Sequence, residues 1–161
     1  MHYAGVGSRK TPSIVLGLMY DIGKYMAAEN HILFSGGAIG ADRAFEQGCR
    51  YYHGDSQIFY ANHATPESIE FSSTFHPAWD RLPPYVKKLM GRNAFQVLGE
   101  SMNTPVDFII CWTPDGCICH ADRNIRTGGT GQAISIASTY GIPVYNLARP
   151  AHFDLWAAKV R

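Results

Sequence analysis

Residues 106 to 112, VDFIICW, form an almost unbroken apolar run in the last third of the chain. A strand with one face in water alternates apolar and polar residues, whereas a strand covered on both faces is apolar nearly throughout. Sheets covered on both faces are mostly parallel, because the helices that connect parallel strands lie on the two faces. This segment therefore favours an α/β fold with helices on both sides of a parallel sheet.

The rest of the chain alternates between strand-like and helix-like patterns. Short apolar stretches predict further strands at 2–6, 31–34, 57–60 and 142–147, and helical spacing predicts helices at 12–29, 41–52, 82–99, 131–140 and 153–160. Residues 61–82 have weak periodicity and predict an irregular connection with room for one helical turn near Pro66 and Glu67. We expect a single domain over residues 1–161, built on an open parallel sheet of about five strands with helices on both faces.

Composition and charge exclude several classes of protein. The apolar fraction of 46% and the charged fraction of 17% are typical of a folded globular chain. A formal net charge of only +1 argues against a function that depends on long-range attraction to nucleic acid, although a local basic patch stays open. No charged leader precedes an apolar core at the N-terminus, and no apolar stretch approaches the roughly 20 residues of a membrane span. We therefore expect a cytoplasmic protein with no membrane partner and with four free thiols.

Glycine-rich segments follow three of the predicted strands: GVGSR at 5–9, SGGAIGAD at 35–42 and, after a polar loop, TGGTGQA at 127–133. Loops at the carboxyl ends of parallel strands line one edge of the sheet, where helix N-termini bind anions. The three segments therefore predict one phosphate-binding crevice, although tight turns with close helix packing are the alternative. None matches the Walker or GxGxxG pattern, so neither ATP hydrolysis nor NAD binding is supported and no cofactor is expected.

The order GSR-TP, SGGAxGAD-xAFE, RN and TGGTGQAxxIAxxYGIPV resembles the Rossmann-like DNA-processing protein A (DprA/Smf) family, and especially its small stand-alone, phage-type relatives. That family belongs with the Lonely-guy nucleotide hydrolases in the SLOG superfamily. The resemblance covers residues 3 to 148, implies a Rossmann-like sheet and a homodimer or higher homo-oligomer, and places Arg92 and Asn93 in the crevice. With the glycine segments, the candidate binding set is Gly7, Ser8, Arg9, Ser35, Gly36, Gly37, Gly40, Asp42, Arg92, Asn93, Thr127, Gly128, Gly129, Thr130, Gly131 and Gln132.

Lonely-guy enzymes carry a catalytic glutamate in a GGxGTxxE motif. The corresponding stretch here is GGTGQAIS, which places Ser135 at the glutamate position and a neutral Gln132 before it. Neither side chain supplies a carboxylate, so no catalytic residue is assigned. The nearby acids are expected to act as caps, loop or surface residues, with Glu46 and Asp115 the first candidates if turnover occurs; they are Asp42, Glu46, Asp115 and Asp122.

Two further segments leave alternatives open. The first segment has side chains of the types that ligate zinc: Cys117, Cys119 and His120, with Cys111 nearby. Its CxC spacing departs from the usual CxxC pair, which favours ordinary thiols. The same loop could instead form a lid over the crevice. Trp79, with Phe75, His76 or Tyr60, either stacks on a base or anchors its loop on the core.

Three functions remain. The first is binding, without turnover, of a phosphate-bearing nucleotide or an ADP-ribose-like signalling molecule, with sequestration by a phage protein as one biological role. The second is single-stranded DNA binding, expected to be weak because of the near-neutral charge. The third is a nucleoside-monophosphate phosphoribohydrolase, which the missing glutamate disfavours.

Overall fold

A computed structural model describes all residues, 1–161. Five short strands form one sheet: β1 (His2–Gly5), β2 (Ile32–Ser35), β3 (Ser56–Ile58), β4 (Phe108–Cys111) and β5 (Val144–Asn146). Their order is β3-β2-β1-β4-β5, and every neighbouring pair is parallel. The predicted α/β class and the Rossmann-like open sheet are therefore confirmed.

Six helices flank this sheet: α1 (Ser13–Ala28), α2 (Ala41–Tyr51), α3 (Pro66–Ser73), α4 (Pro84–Leu98), α5 (Thr130–Thr139) and α6 (Pro150–Lys159). Successive residues of a strand point to opposite faces, and the core is divided accordingly. Ile110 packs with α1, α2 and α6, whereas its neighbour Ile109 packs with α4 and α5. The apolar run that predicted β4 thus has a helical layer on each side. No helix is both long enough and apolar enough to cross a lipid bilayer.

The structure corrects the prediction for residues 61–82. The segment contains the two-turn helix α3, with short 3-10 turns at Ala61–His63 and Trp79–Arg81. The Thr65 hydroxyl accepts a hydrogen bond from the Ser68 amide at 3.1 Å, and the Ser68 hydroxyl accepts one from the Thr65 amide at 3.0 Å. Such a reciprocal cap favours a helix start. The apolar pattern predicted only one turn here because the buried positions of α3 are serines, and Ser72 donates to the Met90 carbonyl at 2.9 Å.

Helices α1 and α2 approach each other unusually closely. A Cβ built on Gly23 of α1 would overlap the Phe45 carbonyl oxygen, and one built on Gly48 of α2 would overlap the Tyr20 carbonyl oxygen. Only glycine leaves room for backbones at this separation. The contact fixes α2 against α1 and so determines where the first turn of α2, which carries Asp42, meets the edge of the sheet.

Candidate functional site

The strand order reverses direction between β1 and β4. The chain leaves β1 through α1 toward β2 on one side and leaves β4 through α5 toward β5 on the other. Ligands of open α/β sheets bind outside the carboxyl ends of the strands at such a point. A cavity of about 460 Å³ lies there, and all three glycine segments reach it. Ten predicted binding residues line it: Gly7, Ser8, Arg9, Gly36, Gly37, Asp42, Arg92, Asn93, Gly129 and Thr130.

The other predicted binding residues do not line this cavity; they are Ser35, Gly40, Trp79, Thr127, Gly128, Gly131 and Gln132. Polar members of this group hold the framework together. Ser35 is buried and donates to the Gly5 carbonyl at 3.2 Å, which braces β2 on β1. The Gln132 amide donates to the Ser72 carbonyl at 2.8 Å and joins α5 to α3. Thr127 donates to the Asp115 carboxylate at 2.6 Å in the loop before α5.

Backbone amides of the loop after β2 already donate hydrogen bonds to carboxylates of the chain. The Gly37 amide donates to Glu46 Oε1 at 2.8 Å, and the Ala38 amide donates to Asp42 Oδ2 at 3.4 Å. Gly37 also has a positive φ of 70°, which favours glycine. Two amides that the sequence led us to expect around a phosphate are therefore used by the side chains of α2. This side of the crevice presents acidic oxygens rather than bare amides.

Asp42 is a buried carboxyl group within the crevice wall. Burial raises its pKa from the ordinary 3.8 to about 7, and Glu46 adds to the rise, while Arg92 and the Ala38 and Gly36 amides oppose it. Near neutral pH this group is therefore poised between its charged and uncharged forms. A strongly shifted acid in a cleft is a frequent mark of a functional site.

Helix α4 places three polar side chains along the crevice. The Arg92 guanidinium donates through Nη1 to the Gly36 carbonyl at 2.6 Å and the Phe59 carbonyl at 3.1 Å, and through Nε to Asn93 Oδ1 at 3.3 Å. Burial lowers the pKa of Arg92, opposed by the charge of Asp42. Asn93 donates in turn to the Gly129 carbonyl at 3.4 Å. Gln96 lies one turn after Arg92 and was missed from the sequence, although the i, i+4 spacing puts both residues on one helix face.

The N-terminus of α5 presents unpaired donors. The amides of Gly131 and Gln132 donate back to the carbonyls of Gly128 and Gly129 at 3.0 and 3.2 Å. The amides of Gly128, Gly129 and Thr130 have no partner in the chain. Thr130 is itself buried and lines the cavity, while Arg9 and Lys10 stand exposed on the rim. Free amides at a helix N-terminus attract anions.

Residues 113–127 form a loop beside α5 in which Asp115 joins several hydrogen-bond donors. Asp115 accepts hydrogen bonds from Thr113 at 2.8 Å, from Thr127 at 2.6 Å and from Asn124 at 3.0 Å. Partial burial raises the pKa of Asp115, but the hydrogen bonds from Thr127, Thr113 and the backbone amides of Cys117 and Asp115 together outweigh burial, so the net shift is downward. No group of three potential metal ligands comes together, and the Cys117 and Cys119 thiols contact the Cys119 carbonyl and the Asp122 carboxylate instead.

Ser135 is turned away from the crevice. It is fully buried under the 113–127 loop, where His120 Nδ1 lies 2.7 Å and Arg123 Nη1 lies 3.1 Å from its hydroxyl oxygen. The α5 residue that lines the cavity beyond Thr130 is Ala133. Of the four acids considered from sequence, only Asp42 lines the cavity.

Trp79 does not reach the crevice. Its ring lies under the Lys87 ammonium group, with 5.5 Å from the nitrogen to the ring centroid. The aromatic rings that line the cavity are Tyr60 and Tyr85, exposed by 50% and 62% respectively. Nothing in the sequence indicated that Tyr85 would line the cavity, apart from its position in the first turn of α4.

Comparison with known proteins finds no relative of this chain. No family model matches it, and no curated protein or solved structure gives a significant match.

Proposed function

We propose that this protein binds a phosphate-bearing nucleotide or a nucleotide-derived signalling molecule, such as an ADP-ribose-like compound, without turning it over. One observation carries the proposal: the unpaired amides at the start of α5 and the buried Thr130 meet a cavity with Arg9 and Lys10 on its rim. The local excess of cations contrasts with a net charge of only +1 for the whole chain. The motif resemblance to the SLOG superfamily supports the same ligand class.

The cavity suits a small molecule rather than a large surface. Its volume of about 460 Å³ falls in the range of ordinary ligand pockets. Tyr60 and Tyr85 present exposed rings on which a base can stack. We therefore place the phosphate at α5, between Gly129, Thr130 and the two rim cations, with the base against a tyrosine ring.

Absence of turnover is part of the proposal. A carboxylate at the Lonely-guy position would stabilise positive charge on the ribose during cleavage, but that position is held by Ser135 beneath the loop. Asp42 is the carboxyl group in the cavity wall, so it replaces Glu46 and Asp115 as the first residue to mutate should cleavage occur. Prolonged incubation of AMP with the protein should leave intact nucleotide on chromatography. Release of free adenine that Asp42→Asn abolishes would make the protein an enzyme.

Calorimetry tests the binding proposal. We expect AMP and ADP-ribose to bind, and adenosine, which lacks the phosphate, to bind at least tenfold more weakly, because one charged hydrogen bond contributes roughly 1.5–3 kcal/mol. Arg9→Gln and Lys10→Gln should each weaken AMP binding severalfold. Arg50→Gln, which removes an exposed arginine at the far end of α2, is the matched control and should change nothing.

Equal affinity for AMP and adenosine would contradict the phosphate assignment. The identity of the natural ligand can be sought directly, by denaturing protein purified from cells and analysing the released small molecules by mass spectrometry.

Single-stranded DNA is a second candidate, because the exposed Arg9, Lys10, Tyr60 and Tyr85 offer charge and stacking on the same rim. With so few cations we expect weak binding that falls steeply with salt. Tight, length-dependent binding of oligonucleotides in near-physiological salt would instead favour this candidate over a nucleotide.

A further inference from the structure

We infer that the inner end of the crevice, where Asp42, Arg92 and Gln96 meet over Gly36, recognises the vicinal hydroxyl groups of a ribose. The protein would then select ribonucleotides over 2′-deoxyribonucleotides. These three side chains are called the Gly36 cluster below. The inference rests on the proposed function, and it divides the crevice into a sugar end beside α2 and α4 and a phosphate end at α5.

The Gly36 cluster surrounds a single point. A Cβ built on Gly36 would lie 2.5 Å from Arg92 Nη1, 2.5 Å from Gln96 Nε2 and 2.7 Å from Asp42 Oδ2. A side chain at position 36 would displace these three polar ends from the place where they meet. Two donors and one carboxylate oxygen, from two different helices, meet beside the backbone at the end of β2.

The cluster has unused hydrogen-bonding capacity. Gln96 is only 2% exposed and lines the cavity, and its side-chain amide makes no hydrogen bond within the chain. Arg92 uses Nη1 and Nε within the chain, which leaves the protons of Nη2. Asp42 is 4% exposed and accepts from the Ala38 amide through Oδ2, with acceptor capacity remaining. The fully enclosed polar atoms without a partner are Tyr3 Oη and Trp156 Nε1, whereas the Gln96 amide faces the cavity. Its hydrogen-bonding capacity is therefore open to a ligand in the cavity.

The chemistry of the cluster fits hydroxyl groups better than a phosphate. Asp42 and, behind the Gly37 amide, Glu46 supply negative oxygens that would repel a second anion. A carboxylate oxygen accepts a hydrogen bond from a hydroxyl group, while the Gln96 amide and the Arg92 guanidinium donate hydrogen bonds to hydroxyl oxygens. A vicinal diol offers both roles on adjacent carbons, and acidic residues hold the ribose hydroxyls in other dinucleotide-binding sheets.

The test compares nucleotides that differ only in the sugar, on the unmodified protein. Calorimetry at pH 8 should show 2′-deoxy-AMP binding roughly 10- to 100-fold more weakly than AMP, because its binding leaves buried polar groups without partners. Ribose 5-phosphate, which has no base, should bind measurably and lose affinity in its 2-deoxy form by a similar factor. Gln96→Met, close in shape, should weaken AMP about tenfold and leave 2′-deoxy-AMP nearly unchanged. Arg9→Gln, which acts at the phosphate end, should weaken both nucleotides equally.

The outcomes separate the two proposals. Equal affinity for AMP and 2′-deoxy-AMP, with adenosine still much weaker, would overturn the ribose assignment while leaving phosphate binding intact. Discrimination between bases without discrimination between sugars would also overturn it, because the cluster would then read a base edge. No binding of any nucleotide would overturn the proposed function itself. Circular dichroism of Gln96→Met confirms that a lost preference is not lost folding.

Discussion

Replacing Asp42 with asparagine should remove much of the pH dependence of the stability of this protein. Asp42 is buried at the start of α2, and its pKa is raised from 3.8 to about 7, chiefly by burial. Each pKa unit corresponds to about 1.36 kcal/mol, so a shift of roughly three units amounts to about 4 kcal/mol. Asparagine has nearly the same shape and does not titrate.

The sign follows from which state binds the proton more tightly. A carboxyl group with a raised pKa in the folded state keeps its proton longer when folded, so its contribution is fully present below the unfolded pKa. That contribution is lost as the pH rises toward 7, since the unfolded chain then ionises while the folded chain does not. The free energy of unfolding of the parent should therefore fall between pH 4 and pH 7, by up to about 4 kcal/mol from this group.

Urea unfolding followed by tryptophan fluorescence measures the effect. We expect the stability of Asp42→Asn relative to the parent to increase steadily from pH 4.5 to pH 7.5 and then to level off. Asp21→Asn, which removes an exposed carboxylate on α1, controls for the loss of one negative charge. Parallel stability curves for Asp42→Asn and the parent over this whole range would refute the reasoning, because a buried acid of raised pKa cannot titrate without changing stability.

Other predictions address packing, the loop beside α5 and the thiols. Gly17→Ala on α1, where a Cβ meets no atom within 4 Å, should raise the free energy of unfolding by about 0.5–1 kcal/mol. Gly23→Ala on the same helix should lower it by about 1–3 kcal/mol through overlap with α2, and urea unfolding distinguishes the two. Asp115→Ala removes the acceptor of three side-chain hydrogen bonds and should speed hydrogen exchange across residues 113–127 while leaving α1 unchanged. Because the pKa of Asp115 is lowered on folding, its contribution is present at neutral pH and lost in acid, so acid should lower the protection of this loop, after correction for the intrinsic pH dependence of exchange, in the parent but less in Asp115→Ala. Cys119, the one partly exposed thiol, should be alkylated first in the folded protein, and a fast phase that survives Cys119→Ser would contradict its placement.

The sequence by itself determined the layers of the fold and the edge at which a ligand site forms. Hydrophobic periodicity is a local property, so the run at 106–112 predicted a strand covered on both faces, and β4 is such a strand. The glycine segments predicted which loops meet, because parallel strands bring their carboxyl ends to one edge. Helix α3 was predicted only as a single turn near Pro66 and Glu67, because its cap signal at Thr65 and Ser68 was not accompanied by an apolar stripe.

Only the tertiary structure decided which donors remain free for a ligand. The Gly37 amide appeared available in the sequence, but the first turns of α2 bring Glu46 back onto it. Ser135 is two positions from Ala133, and rotation about the axis of α5 turns one under the loop and the other toward the cavity. Gln96 is left unpaired at the end of β2 because α4 crosses there, more than fifty residues later in the chain. Hydrogen-bond partners depend on distances of a few ångströms between remote segments, and packing of the helices on the sheet sets those distances.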